Sequence, residues 1–203
     1  MKRSLDIVLS LIGLLILLPF FPFVAILIKL DSSGPIFFRQ ERIGKDFSRF
    51  TIYKFRTMTA NADKKGALIT AGGDNRITKV GGFLRRYKID ELPQLYNVLR
   101  GDMSFVGPRP EVSKYVQLFE TEYRKLLTVR PGITDLASLR YSNEEAILGK
   151  SKTLEEVYIS TILPEKIKLS SHYVDNHSMM TDLKLILMTV LKAFHINKDN
   201  ANK

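Results

Sequence analysis

The sequence contains no cysteine and no tryptophan, and only three histidines among its 203 residues. Without cysteine, disulfide scaffolds, thiolate metal sites and cysteine nucleophiles are excluded. The histidines do not form a ligand set, since His172 and His177 are five apart, a poor spacing for one helical face. Gly-x-Gly-x-x-Gly and Gly-x4-Gly-Lys-Ser/Thr are both missing, so dinucleotide folds and P-loops lack support. No serine occupies a Gly-x-Ser-x-Gly elbow. Acids are the scarcer charge, with 21 Asp and Glu against 31 Lys and Arg and a formal charge of +10. At 45% hydrophobic and 26% charged residues, disorder is excluded too. What remains for chemistry is acid and arginine.

Charge is itself absent from one stretch. Ile7 to Ile28 is 22 residues without a charged side chain, and a continuous helix of that length would run about 33 Å, enough to cross a bilayer core of about 30 Å. Pro19 and Pro22 fall near its middle, where proline removes a helical hydrogen bond and predicts a kink. Lys2 and Arg3 precede the segment, and seven basic residues against three acids follow from Lys29 to Arg56. Both flanks therefore favour the cytoplasmic face. A re-entrant helix broken at the prolines satisfies both flanks; a kinked single span is the alternative. The expected division is a membrane helix over 1–30, a cytoplasmic soluble domain over 31–195 and a flexible tail over 196–203.

The soluble part reads as α/β, mainly helical with a small β-hairpin. Ile36 to Phe38 and Phe50 to Phe55 are β-prone runs joined by turn chemistry at Gly44-Lys45-Asp46. Thr59 to Arg76 is small and polar, with Gly66, Gly72 and Gly73, and reads as a mobile loop. A short helix is expected over Thr78 to Tyr87. A second should begin near Asp90, with Leu92, Leu95, Tyr96 and Leu99 in helical register and Gly101 as its stop. Pro110 is expected to open a longer helix carrying Val112, Tyr115, Val116, Phe119, Tyr123 and Leu126 on one face. Near the C-terminus Leu183, Ile186, Leu187, Val190, Leu191 and Phe194 form a stripe suited to core packing or to an amphipathic helix in a membrane interface.

Asp90-Glu91 stands where the second helix should start. Asp is a common N-cap and Glu a common first-turn residue, so capping is one reading. The other is that the same position keeps Asp90 ionised as a nucleophile or metal ligand. Gly107-Pro108-Arg109-Pro110 restrains an arginine between two prolines, which makes either a preorganised clamp for phosphate or carboxylate or a rigid turn. Lys54 and Arg56, with Arg85 and Arg86, would add positive charge.

Together, Lys54-Phe55-Arg56-Thr57-Met58, Asp90-Glu91-Leu92-Pro93-Gln94-Leu95, Asn97-Val98-Leu99, Gly101-Asp102-Met103-Ser104, Val106 to Pro110 and Arg130 to Thr134 resemble the bacterial sugar transferases, the monotopic phosphoglycosyl transferases. The resemblance runs from Arg3 and Asp6 to a late Tyr173-Val174, Asn176, Ser178, Asp182-Leu183 pattern. It implies an enzyme of the bacterial inner membrane with its catalytic domain on the cytoplasmic face. Such an enzyme moves a sugar-1-phosphate from a UDP-sugar to undecaprenyl phosphate, releases UMP and requires Mg²⁺. The chain is similar to the small form that consists of the catalytic domain alone.

Carried over by position, Asp90 would be the nucleophile that forms an aspartyl phosphosugar, and Glu91 its partner, the two also serving as metal ligands. Lys54, Arg56, Arg85 and Arg109 would bind substrate phosphates, and Pro19 would break the membrane helix, with Pro22 beside it. The implied partners are the UDP-sugar, undecaprenyl phosphate and inner-membrane lipid, with no nucleic acid and room for a homodimer. Asp135 and Ser138 depart from the family pattern at positions that bear on sugar preference, as do Arg140 and Glu144-Glu145. A competing reading is a membrane-tethered basic module that binds anionic lipid or nucleic acid without catalysis.

Overall fold

The computed structural model describes residues 2–60, 62, 69–70, 73–141, 144, 148 and 153–201. Gly66, Gly72 and Glu145, and half of the segment expected as a mobile loop, lie outside them. The chain is mainly helical, at 63%, with a small antiparallel hairpin.

The apolar segment forms α1 (Lys2–Leu17) and α2 (Phe21–Asp31), joined by a 3₁₀ turn at Leu18–Phe20. Pro19 and Pro22 each occupy a first-turn position of the piece they open, where a missing N–H costs little. The stretch from Lys2 to Asp31 is long and apolar enough to cross a membrane by length and composition. Most of its large side chains face outward, Leu15, Ile16, Phe23 and Leu30 among them.

Both ends of this segment are nevertheless bonded to one globular body. At the start, Arg3 donates to the carbonyls of Val98 and Leu99, and the buried Asp6 accepts from Ser104 Oγ and Phe105 N, each at 3.1 Å. Lys2 reaches Asp182 at 2.9 Å and the Tyr173 hydroxyl at 2.6 Å. At the other end Asp31 accepts from Val80 N at 2.8 Å, and Arg56 donates to the Ser32 carbonyl at 2.6 Å.

The hairpin pairs β1 (Phe37–Ile43) with β2 (Arg49–Phe55), Phe37 opposite Phe55 and Ile43 opposite Arg49. It packs on α4 (Gln94–Arg100), whose buried Asn97 accepts from Tyr53 N at 3.1 Å and donates to the Thr51 carbonyl at 2.7 Å. Between them comes α3 (Lys79–Arg86), whose N-terminus the Thr78 hydroxyl caps by accepting from Gly81 N at 3.0 Å. Gly101 ends α4 in the left-handed region at φ 99°, which glycine adopts without strain.

A second, parallel pair joins β3 (Ser104–Val106) to β4 (Gly132–Thr134). Here the backbones cross closely. A Cβ on Gly107 would lie 2.3 Å from the Arg130 carbonyl oxygen, and one on Gly132 would lie 2.1 Å from Gly107 N. That contact fixes where the following Pro108-Arg109-Pro110 segment begins.

The helix expected from Pro110 is two helices, α5 (Ser113–Leu118) and α6 (Glu120–Leu126), separated at Phe119. Pro110 opens neither. The Glu111 carbonyl accepts from Ile43 N, and the Pro110 carbonyl accepts from Arg42, both at 3.1 Å, so this backbone is drawn to the hairpin instead of into a helix. The apolar face holds across the break, since Tyr115, Val116, Tyr123 and Leu126 are core.

Then follow α7 (Leu136–Arg140), α8 (Leu154–Val157), a π turn at Tyr158–Ile162, α9 (Leu163–Asn176) and α10 (Met179–Ala201). The helical backbone of α10 reaches Ala201, into the stretch expected as a tail. Of the stripe on α10, Ile186 packs inward beside the buried Leu185, while Leu183, Leu187, Val190 and Leu191 are exposed. The Phe194 side chain lies outside the described residues.

Candidate active site

Asp90 and Glu91 sit on a 3₁₀ turn, Ile89–Glu91, ahead of α4. Lys88 enters this turn at φ 57°, a left-handed conformation uncommon for a residue with a side chain. The turn buries both carboxyl groups, with Asp90 only 7% exposed. Neither acts as a cap: Lys88 and Pro93 hold the N-cap positions, and no side-chain bond closes either end.

The two carboxylates have unlike surroundings. Glu91 Oε1 accepts from Lys54 Nζ at 2.8 Å and, more tightly, from Arg109 Nη2, while Oε2 accepts from Arg109 Nη1 at 3.4 Å. Asp90 Oδ1 is buried without a hydrogen-bond partner. Burial alone would raise the Glu91 pKa, but the Arg109 and Lys54 charges hold it well below the usual value. Burial pushes Asp90 up to about 6, helped by the Glu91 charge and opposed by Lys54, Lys88 and Arg85. Two adjacent acids are thus driven apart in acidity, the condition under which neighbouring carboxyls take separate roles.

Of the residues singled out from sequence, Lys54, Glu91 and Arg109 meet directly, and the Arg85 charge acts on Asp90 from the last turn of α3. Arg109 grips with both prongs, and what it grips here is a carboxylate of the protein. Arg56 is elsewhere. It donates to the carbonyls of Ile28 and Ser32 at the end of α2, so its contacts tie the apolar segment to the hairpin.

Among the described residues no three His, Asp or Glu side chains are placed to share a metal ion. The open Asp90 Oδ1 fits a divalent cation that draws its other oxygens from a bound phosphate. Glu91, with its oxygens on two cations, fits such a role only if they release it.

Sequence reading missed Glu111, whose buried carboxylate accepts from the Tyr158 hydroxyl at 2.7 Å and pairs with Arg42 at 3.3 Å. It follows Arg109 by two residues and holds that loop against β1 and the π turn. The departure at Asp135 is structural: its fully buried carboxylate caps α7 through Ser138 N at 2.6 Å and accepts from Ser170 Oγ at 2.9 Å.

The site thus holds a buried carboxylate with one unpartnered oxygen beside a second carboxylate neutralised by two cations. The family model for bacterial sugar transferases matches residues 1–196, and the chain belongs to that family. It is 40% identical over 202 residues to the exopolysaccharide production protein PSS of Rhizobium leguminosarum bv. phaseoli, covering 94% of each chain. Over 194 residues it is 38% identical to a UDP-N-acetylgalactosamine-undecaprenyl-phosphate N-acetylgalactosaminephosphotransferase of Aeromonas hydrophila, covering 93% of this chain and 42% of that one. A UDP-glucose:undecaprenyl-phosphate glucose-1-phosphate transferase of Escherichia coli (strain K12) is 38% identical over 202 residues, covering 98% of this chain and 41% of that one. The chain therefore spans less than half the length of the last two relatives.

Proposed function

We propose that this protein transfers a sugar-1-phosphate from a UDP-sugar to undecaprenyl phosphate and releases UMP, through a covalent phosphosugar on Asp90. The observation that carries this reading is the buried, unpartnered Asp90 Oδ1 beside a Glu91 already neutralised by Lys54 and Arg109. The names of the Aeromonas and Escherichia relatives supply the substrate class.

In the first half-reaction an Asp90 oxygen attacks the phosphorus attached to the sugar. The bond from that phosphorus to the UMP oxygen breaks, and UMP leaves with the electron pair. In the second half-reaction an oxygen of the lipid phosphate attacks the same phosphorus and Asp90 departs as carboxylate. Lys54 and Arg109 keep Glu91 from repelling the incoming anion, while Arg85 and Lys88 add to the field that favours it. A Mg²⁺ ion held by Asp90 and the diphosphate, with Glu91 as a further ligand once its cations move, would neutralise charge on the leaving phosphate.

The membrane arrangement belongs to the same proposal. Lys2, Arg3 and Asp6 at one end of the apolar segment and Asp31 and Ser32 at the other are bonded to one body. This supports a re-entrant helix, with both ends on the cytoplasmic face of the inner membrane. The exposed Leu183, Leu187 and Leu191 on α10 suit a surface lying in the same interface. Cysteine labelling of residue 2 in sealed vesicles should succeed from the domain side alone, and labelling from the opposite side contradicts the re-entrant arrangement.

The function is tested by product. A panel of UDP-sugars with Mg²⁺ and undecaprenyl phosphate should yield UMP and a diphosphate-linked lipid sugar from at least one donor. UDP as the nucleotide product, or no turnover from any donor, overturns the reading. A basic tether without catalysis does not account for a buried acid held open at the cost of its solvation.

A further inference from the structure

We infer that Gln94 is a substrate-binding residue whose side-chain amide donates a hydrogen bond to the transferred phosphoryl group. The inference rests on the proposed function and adds a residue to that site.

Gln94 opens α4, three residues after Glu91 and four after Asp90, the spacings that place side chains on one side of a helical turn. It is 1% exposed, and its Nε2 is buried without a hydrogen-bond partner. A buried amide donor left unmade is destabilising, because its lost hydration is not replaced. The same helix shows how a structural amide is treated. Asn97, also fully buried, accepts from Tyr53 N and donates to the Thr51 carbonyl, clamping the hairpin. Gln94 does no comparable tying with its Nε2.

Two unmade groups, an acceptor on Asp90 and a donor on Gln94, thus fall within one turn of chain. They call for a ligand that meets both: an electrophilic centre for the carboxylate, carrying anionic oxygens for the amide. A phosphoryl group has both, and the charges of Lys54, Lys88 and Arg85 around Asp90 favour its entry. Because the same phosphoryl group is present in both half-reactions, the Gln94 bond should serve formation of the adduct and its discharge alike.

The test uses the full chain in lipid nanodiscs and the variant Gln94→Met, which keeps the length and apolar bulk of the side chain and removes the donor. Removal of one donor aimed at a developing oxyanion costs on the order of 10²–10³ in rate. Expected is a UMP burst slowed about 10²-fold with UDP-sugar and no lipid, a similarly slowed discharge of preformed adduct by undecaprenyl phosphate, and a melting temperature equal to or above that of the parent. A burst rate within twofold of the parent overturns the inference, as does a lowered melting temperature with full activity per folded molecule. If Gln94→Met does not fold, Gln94→Glu decides, because it keeps the size and opposes the phosphoryl charge; parent-like rates there overturn the inference equally. A parent enzyme that gives no burst sinks the covalent reading itself, and this inference with it, whereas a parent burst matched by the variants sinks only the role of Gln94.

Discussion

Two buried acidic regions of this protein are treated in opposite ways. Where the N-terminal apolar segment meets the globular body, Asp6 and Asp182 are surrounded by partners: Ser104 and Phe105 for the first, Lys2 and Tyr173 for the second. At the turn before α4, Asp90 is equally buried and its Oδ1 has none. Burying a carboxylate is costly unless its oxygens are satisfied. The first region meets that requirement and so holds the fold together. The second leaves it unmet at one atom, and that atom is available for bond formation.

The largest effect should come from breaking the satisfied region. Asp6→Ala orphans Ser104 Oγ and Phe105 N, at about 1–3 kcal/mol for each unmade buried group, so a loss of roughly 4 kcal/mol is expected. Chemical denaturation in detergent measures it. Activity per folded molecule should stay near the parent value, because the acidic pair is not touched.

The unsatisfied region should respond with the opposite sign. The Asp90 pKa is raised from an unfolded value of about 3.9 to about 6. Stability from this group is thus fully present below about pH 4 and is lost as pH rises through 6. The difference of about two units corresponds to roughly 3 kcal/mol. Asp90→Asn removes the ionisation, so the variant should be more stable than the parent at pH 8 by up to that amount, with the gain fading towards pH 4. Melting curves at several pH values check this, and a variant less stable than the parent at pH 8 contradicts it.

A smaller effect is expected where the two treatments meet. Arg109 neutralises Glu91 with two prongs, which a lysine point charge does not reproduce. Arg109→Lys should lower kcat/KM about tenfold, or about 1.4 kcal/mol, while the melting temperature holds. Unchanged steady-state rates would mean that the Pro-flanked loop is only a turn.

Much of this was legible in the sequence wherever the signal was local. The β-prone runs ending at Phe38 and Phe55, the short helix expected from Thr78 and the Gly101 stop each depend on neighbours in the chain, and each element formed. The acidic pair could be found, but not the division of labour within it. That division comes from Lys54 on β2 and Arg109 after β3, partners remote in sequence. The break at Phe119 was hidden because the apolar spacing from Val112 to Leu126 runs straight through it, and the later helix start was hidden because bonds from Ile43 and Arg42 hold the backbone at 110–111 to the hairpin. The β3–β4 pair has three residues per strand, too few for a periodicity. Gln94 was quoted only as part of a motif, since a glutamine in a helix gives no sign in sequence that its amide is buried and unmet.

The most direct test of the central claim is the intact mass of the protein after exposure to UDP-sugar and Mg²⁺ with no lipid acceptor. The account predicts a gain equal to one phosphosugar, located on the peptide containing Asp90, with one UMP released per enzyme, and neither signal in folded Asp90→Asn. A parent enzyme that turns over with lipid yet never carries the phosphosugar, or an Asp90→Asn variant that still does, would contradict it.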